Sequence, residues 1–207
     1  FFAEYDIEAE DAATIMKVSG GELIAVLPAK QTQKLSCFLY QQAGKGDTVR
    51  SSGFTWDLQV ANDNMVAAVN RGAVCELVTD FRQSVGTQTR DQSQRLRALK
   101  AAGVRVMLSS GILIQEEYSR VGRSVPPGRG IQHSKTMWFR DFVIVGSCNW
   151  TTSSRCNSEC SVLLKLSAEG MRHWGAFWER LTRAAVPLTD ELCGRGEEAA
   201  AKSAEKR

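Results

Sequence analysis

Short apolar runs with strand character recur along this chain, at residues 22–27, 47–56, 73–79, 104–108 and 161–164. Between most of them lie stretches whose apolar positions repeat at helical spacing: 7–18, 31–42, 58–70, 92–102 and 168–184. The boundaries carry their own signals. Gly72 follows the 58–70 helix, Gly103 ends 92–102, and Gly20-Gly21 and Pro28 bracket the first strand. The last helix sets Met171, Trp174, Phe177, Trp178 and Leu181 at helical spacing, which predicts core packing, with His173 on a neighbouring surface face.

A different pattern fills 136–145. Thr136-Met137-Trp138-Phe139 and Phe142-Val143-Ile144-Val145 flank Arg140-Asp141, which predicts a β-hairpin. Strands alternating with helices, plus this hairpin, predict an α/β sandwich: a mixed central sheet with parallel pairs, flanked by helices and joined to an antiparallel hairpin. Residues 109–130, with Pro126-Pro127-Gly128-Arg129-Gly130, are expected as a long loop forming a mobile rim. Residues 194–207 are Ala-rich and charged without an aromatic residue, and are expected to be disordered.

Length and composition fit one catalytic domain. The 207 residues, 43% hydrophobic, divide into 1–44 (an N-terminal extension and the first elements), 45–188 (the catalytic domain expected) and 189–207 (a disordered charged tail). A net charge of +3 does not by itself imply nucleic-acid binding. Its distribution says more, because 118–140 contains Arg120, Arg123, Arg129, Lys135 and Arg140 and no acidic residue. That run either draws an anionic substrate to the site or is a solvated loop. The six cysteines form no Cys-x-x-Cys pair and read as free thiols of an intracellular reducing compartment; with only two histidines, a zinc finger is not expected. No apolar run is long enough to span a bilayer. The chain begins Phe1-Phe2, as a processed product or fragment would, so a targeting or anchor segment upstream would not be visible.

Candidate chemistry is concentrated between Ile131 and Glu159. His133 and Lys135 form a His-x-Lys pair, followed eleven residues after the lysine by Gly146-Ser147-Cys148-Asn149. His133 is a nucleophile or general acid near neutral pH. Lys135, Ser147 and Asn149 supply the donors that the equatorial oxygens of a phosphoryl transition state need. The bland alternative for each alone is a solvated strand edge or a turn; their joint spacing argues for a phosphodiester site. Cys148 reads as a small buried thiol or a residue bordering the site.

On His133, Lys135, Gly146, Ser147 and Asn149, with Asn157-Ser158-Glu159 as an Asn-x-Glu, the chain resembles the phospholipase D superfamily. The likeness is to its single-motif branch, which includes bacterial endonucleases and mitochondrial cardiolipin hydrolase. It extends through Gly53-Phe54-Thr55-Trp56, the segment 71–80 and Leu99-Lys100-Ala101-Ala102-Gly103-Val104. Two departures stand out. Arg140 occupies the register of the family's Asp, with Asp141 one place late, and the segments from Lys135 to Gly146 and from Gly146 to Glu159 are each one residue short.

The resemblance implies a phospholipase D-like sandwich with one lobe per chain, no cofactor and no metal. It implies catalysis through a phosphohistidine on His133, with Lys135, Ser147 and Asn149 holding phosphate and Glu159 supporting an imidazole. Because single-motif members carry one such histidine per chain, it implies a homodimer that completes the site. The favoured substrate is a phospholipid, with peripheral membrane contact and a mitochondrial membrane surface as the implied location. Two alternatives stay open: an endonuclease on single-stranded nucleic acid, with Arg120, Arg123 and Arg129 on the backbone and Tyr118 stacking a base, and a non-catalytic scaffold, suggested by Arg140 and the shortened segments. Ile112-Leu113-Ile114 suits either lipid or the core.

Overall fold

Three parallel strands hold the centre of the computed structural model, which describes residues 21–86, 92–111, 113–114, 118–120, 123–125, 128–183 and 185–204. The chain enters through β1 (Gly21–Pro28) and α1 (Ala29–Gln42), then β2 (Thr48–Gly53), α2 (Gln59–Asn70) and β3 (Val74–Asp80). After β3 come the short helix α3 (Phe81–Val85), α4 (Gln92–Ala101) and β4 (Arg105–Ser109). The helix expected at 7–18 lies outside the described residues.

β2, β3 and β4 pair in parallel, with α2 and α4 as the crossover helices that such pairing requires. The second half of the sheet is antiparallel. β9 (Thr136–Phe139) pairs with β2, and β10 (Phe142–Gly146) folds back on β9 through the predicted Arg140-Asp141 turn. β11 (Cys160–Leu166) follows, then β1 at the edge; β12 (Val186–Pro187) closes the other edge on β4. The eight-stranded order is β1-β11-β10-β9-β2-β3-β4-β12. This is the mixed sheet with flanking helices that the sequence pattern predicts.

One face of the sheet packs under α1, α2 and α4. Val49, Leu77, Met137 and Ile144 meet Tyr40, Met65, Leu96 and Leu99 in a single core. Each such fully buried side chain contributes about 1.5–3 kcal/mol. The other face is crossed by α5 (Ala168–Arg183), which packs against β11 and β4. Only part of its aromatic stripe is core: Trp178 is buried, Trp174 and Phe177 are half-buried, and Met171 is exposed. His173 is half-buried and pairs with Glu169 at 3.6 Å. At the β1 edge, Leu23, Ile24 and Val26 are exposed.

Two expectations are corrected. Residues 109–130 are not one long loop, because they contain two short antiparallel ladders. One pairs β5 (Leu113–Ile114) with β8 (Gly128–Arg129), and the other pairs β6 (Tyr118–Arg120) with β7 (Arg123–Val125). Backbone pairing across a return of the chain supplies order that the Pro-Gly composition did not announce. Second, the tail expected to be disordered from 189 onward is helical over α6 (Asp190–Ala204). Thr189 Oγ1 accepts from the Leu192 amide, Leu188 and Cys193 are buried, and Lys100–Asp190 and Arg97–Glu197 ion pairs tie α6 to α4. An Ala-rich stretch is a strong helix former once a few apolar residues are given a surface to cover.

Candidate active site

The strand β9 is approached through Gln132-His133-Ser134-Lys135, and the side chains on either side of His133 fix this segment. Asp80, fully buried at the end of β3, caps α3 by accepting from the Gln83 amide at 3.0 Å, and its other oxygen accepts from the Gln132 amide at 2.9 Å. Gln132 Oε1 accepts from Ser134 N (2.7 Å) and Ser134 Oγ (2.9 Å). Ser52 Oγ of β2 hydrogen-bonds both Ser134 Oγ (2.9 Å) and Thr136 Oγ1 (2.8 Å). The segment 132–135 is thus tied to the C-terminal ends of β2 and β3, where ligands of parallel α/β sheets bind.

His133 itself is exposed, its ring set edge-on against Phe54 with centroids 4.9 Å apart. Burial against this surface, then the Lys135 charge, push its pKa below the ordinary 6.5, opposed by Asp80. The imidazole is therefore held toward its neutral, nucleophilic form. Lys135 is buried. Its Nζ donates to the His133 carbonyl at 2.6 Å and lies 5.6 Å from the Phe54 centroid. Desolvation lowers its pKa to about 8, with the Glu159 charge working the other way. Among the described residues no carboxylate lies at ion-pairing distance from this ammonium.

The second half of the site is the β10–β11 connection. Gly146 N donates to Lys135 O at 3.3 Å, and the backbone at Cys160 and Ser161 runs so close to Gly146 that a Cβ there would collide with it. Ser147 Oγ donates to Glu159 Oε2 at 2.5 Å, and the other Glu159 oxygen accepts from Asn157 Nδ2 at 3.1 Å. The Asn149 carbonyl accepts from Gln33 Nε2 (3.0 Å), while its side-chain Oδ1 is buried with no partner. Trp150 stacks on Trp56 with centroids 5.1 Å apart, and its carbonyl accepts from the Asp57 and Leu58 amides. Cys148 is buried with its Sγ toward the Ala29 carbonyl, and burial raises its thiol pKa to about 11. It packs under the loop.

All five expected side chains therefore lie on the two backbone segments joined by the Gly146–Lys135 bond. His133 pairs with Lys135 and Phe54, and Ser147 with Glu159; within one chain Glu159 contacts Ser147 and Asn157, not His133. Arg140 lies at the far end of the hairpin. It adopts φ 54° and forms a two-pronged ion pair with Asp47, both bonds 3.0 Å. Sequence reading missed the positioning roles of Ser52, Phe54, Asp80 and Gln132. Asp80, at the end of a strand and three residues before Gln83, carried a legible capping signal; the others did not.

A profile of the family described as "Cardiolipin synthase, PLD-like domain" matches residues 42–181. No curated protein matches the chain significantly. Among solved structures it is similar to NucT from Helicobacter pylori, at 16% identity and a TM-score of 0.64, over 81% of this chain and 98% of that one. It is also similar to Nuc, a phospholipase D family member from Salmonella typhimurium, at 17% identity and TM-score 0.62, over 82% of this chain and 99% of that one. A phosphatidylserine synthase from Haemophilus influenzae Rd KW20 matches at 10% identity and TM-score 0.58, with 87% of this chain covering 45% of that one. The chain belongs to the phospholipase D superfamily, whose chemistry is that of phosphodiesters.

Proposed function

We propose that the protein is a metal-independent phosphodiester hydrolase that works through a phosphohistidine. The observation that carries this reading is Lys135: a buried ammonium that donates to the His133 carbonyl, with no carboxylate at ion-pairing distance among the described residues. Burying a cation without a counter-charge is costly, and an entering phosphate offsets that cost beside the nucleophile. His133 attacks phosphorus, forming the P–N bond as the bond to the leaving oxygen breaks. That oxygen takes a proton from His133 of the partner subunit. Water then attacks phosphorus, gives its proton to the same partner imidazole, and the P–N bond breaks. Lys135 and Asn149 hold the non-bridging oxygens, Ser147 assists, and Glu159 supports an imidazole.

Phospholipid is the favoured substrate class, supported by the cardiolipin synthase-type profile and by the exposed Leu23, Ile24 and Val26, which suit a peripheral contact with lipid. Single-stranded nucleic acid is the second reading, supported by the basic run ending at Arg140. Assaying cardiolipin liposomes beside single-stranded RNA separates them. Mixing His133→Ala with wild-type chains tests the shared site. Activity is expected to fall faster than the wild-type fraction, because heterodimers lack either nucleophile or acid. A strictly linear fall with an active monomer by sedimentation, or undiminished turnover in pure His133→Ala, would overturn the mechanism.

A further inference from the structure

α2 follows β2 and α4 follows β3, so both helices start at the catalytic end of the sheet, and between them runs a groove of about 620 Å³. That volume accommodates a small ligand or a segment of a larger one. The walls of the groove are rich in donors. Asn62 spends its Oδ1 on Trp56 Nε1 (2.7 Å), which leaves the amide nitrogen as a donor. Arg95 donates from Nη1 to Gln59 Oε1 at 2.8 Å, yet its Nε is buried without an acceptor, and no carboxylate at ion-pairing distance neutralises it among the described residues. The one acid in the lining, Asp63, is already engaged by Gln59 Nε2 at 2.8 Å.

α2 also begins without a side-chain cap, so its first amides add positive potential at the groove mouth. The floor, at Leu99 and Val66, is apolar and suits a carbon linker. The groove is near the reacting centre. Phe54, against His133, and Gln59 are five residues apart, at most roughly 18 Å along an extended chain.

We propose that this groove binds a second phosphate carried on the same substrate molecule as the scissile phosphodiester, with Arg95 as its main ligand. The inference rests on the phosphodiesterase reading of the His133 site and adds a subsite that selects substrates bearing more than one phosphate. A polynucleotide and a diphosphatidyl lipid share that chemistry.

The test compares KM for wild type and Arg95→Ala on three substrates: bis(p-nitrophenyl) phosphate, which has one phosphate, cardiolipin vesicles, and a single-stranded RNA decamer. The expected result is a KM raised about tenfold for at least one of the two polyphosphate substrates, with the single diester unchanged; the substrate that responds identifies the source. Arg95→Lys should recover part of the loss, and the melting temperature should stay near wild type because Arg95 is only half-buried. Equal KM values on all three substrates, or an equal rise on all three, would overturn the proposal. If wild type turns over none of them, the phosphodiesterase reading has failed. The groove is then judged by equilibrium binding of a labelled decamer and of cardiolipin vesicles, which Arg95→Ala must weaken.

Discussion

Asp80 Oδ2 accepts a hydrogen bond from the Gln132 amide at 2.9 Å, joining the end of β3 to the residue just before His133. A buried carboxylate is thus a positioning group for the proposed nucleophile and at the same time the cap of α3. It also opposes the shifts that lower the His133 pKa. Asp80→Ala would strand two buried amides, each costing about 1–3 kcal/mol. Urea denaturation should therefore show a loss of about 2–6 kcal/mol, and the His133 resonance should titrate at lower pH than in wild type. A loss below about 0.5 kcal/mol would show that the two bonds do not hold the segment.

The pH profile follows from two depressed pKa values. In the proposed mechanism the attacking His133 must be neutral, and its pKa lies below 6.5, so the acidic limb of kcat/KM should fall below that value. The partner's His133 must carry the proton that it gives the leaving oxygen, so kcat/KM should already decline above the same imidazole pKa, and loss of the Lys135 charge, with a pKa of about 8, should steepen the fall on the basic side. Stability runs the other way. Between about 8 and the ordinary 10.5 the unfolded chain binds the Lys135 proton and the folded chain does not, so this group's contribution improves as pH rises through that window. Lys135→Met should abolish activity while raising the melting temperature at pH 7, with the gain shrinking by pH 10. A variant less stable than wild type at pH 7 would contradict this account.

Arg140 stands in the register of the superfamily's Asp but points at Asp47 from the opposite end of β9, five positions and roughly 16 Å along the strand from Lys135. The pair is exposed on the Arg140 side, so Arg140→Ala should cost about 1 kcal/mol or less and leave turnover within about twofold. A hundredfold loss of activity in a folded variant would mean that the turn takes part in the chemistry.

Removing residues 190–207 should destabilise the chain by on the order of 3 kcal/mol, since it uncovers Leu188 and takes away the buried Cys193. Urea unfolding of a chain ending at Thr189 measures this. An unchanged midpoint would return these residues to the solvated tail that their composition suggests.

Where a signal was local, the sequence alone determined the outcome. Apolar period, glycine stops and the Arg140-Asp141 turn placed β1–β4, α1, α2, α4 and the β9–β10 hairpin, because each depends on residues a few positions apart. The hairpin pattern also put His133 and Gly146 at the same end of the sheet. What needed tertiary structure was everything set by residues distant in sequence. α6 exists because it finds surfaces on α3 and α4 and buries Cys193, and composition cannot see those surfaces. The anchoring of His133 by Asp80 spans 52 positions, and that by Ser52 through Ser134 spans 82. The burial that lowers the Lys135 pKa arises only when β9 is laid against β2 and Phe54 is brought over the ammonium, since desolvation belongs to the packed neighbourhood and not to the residue.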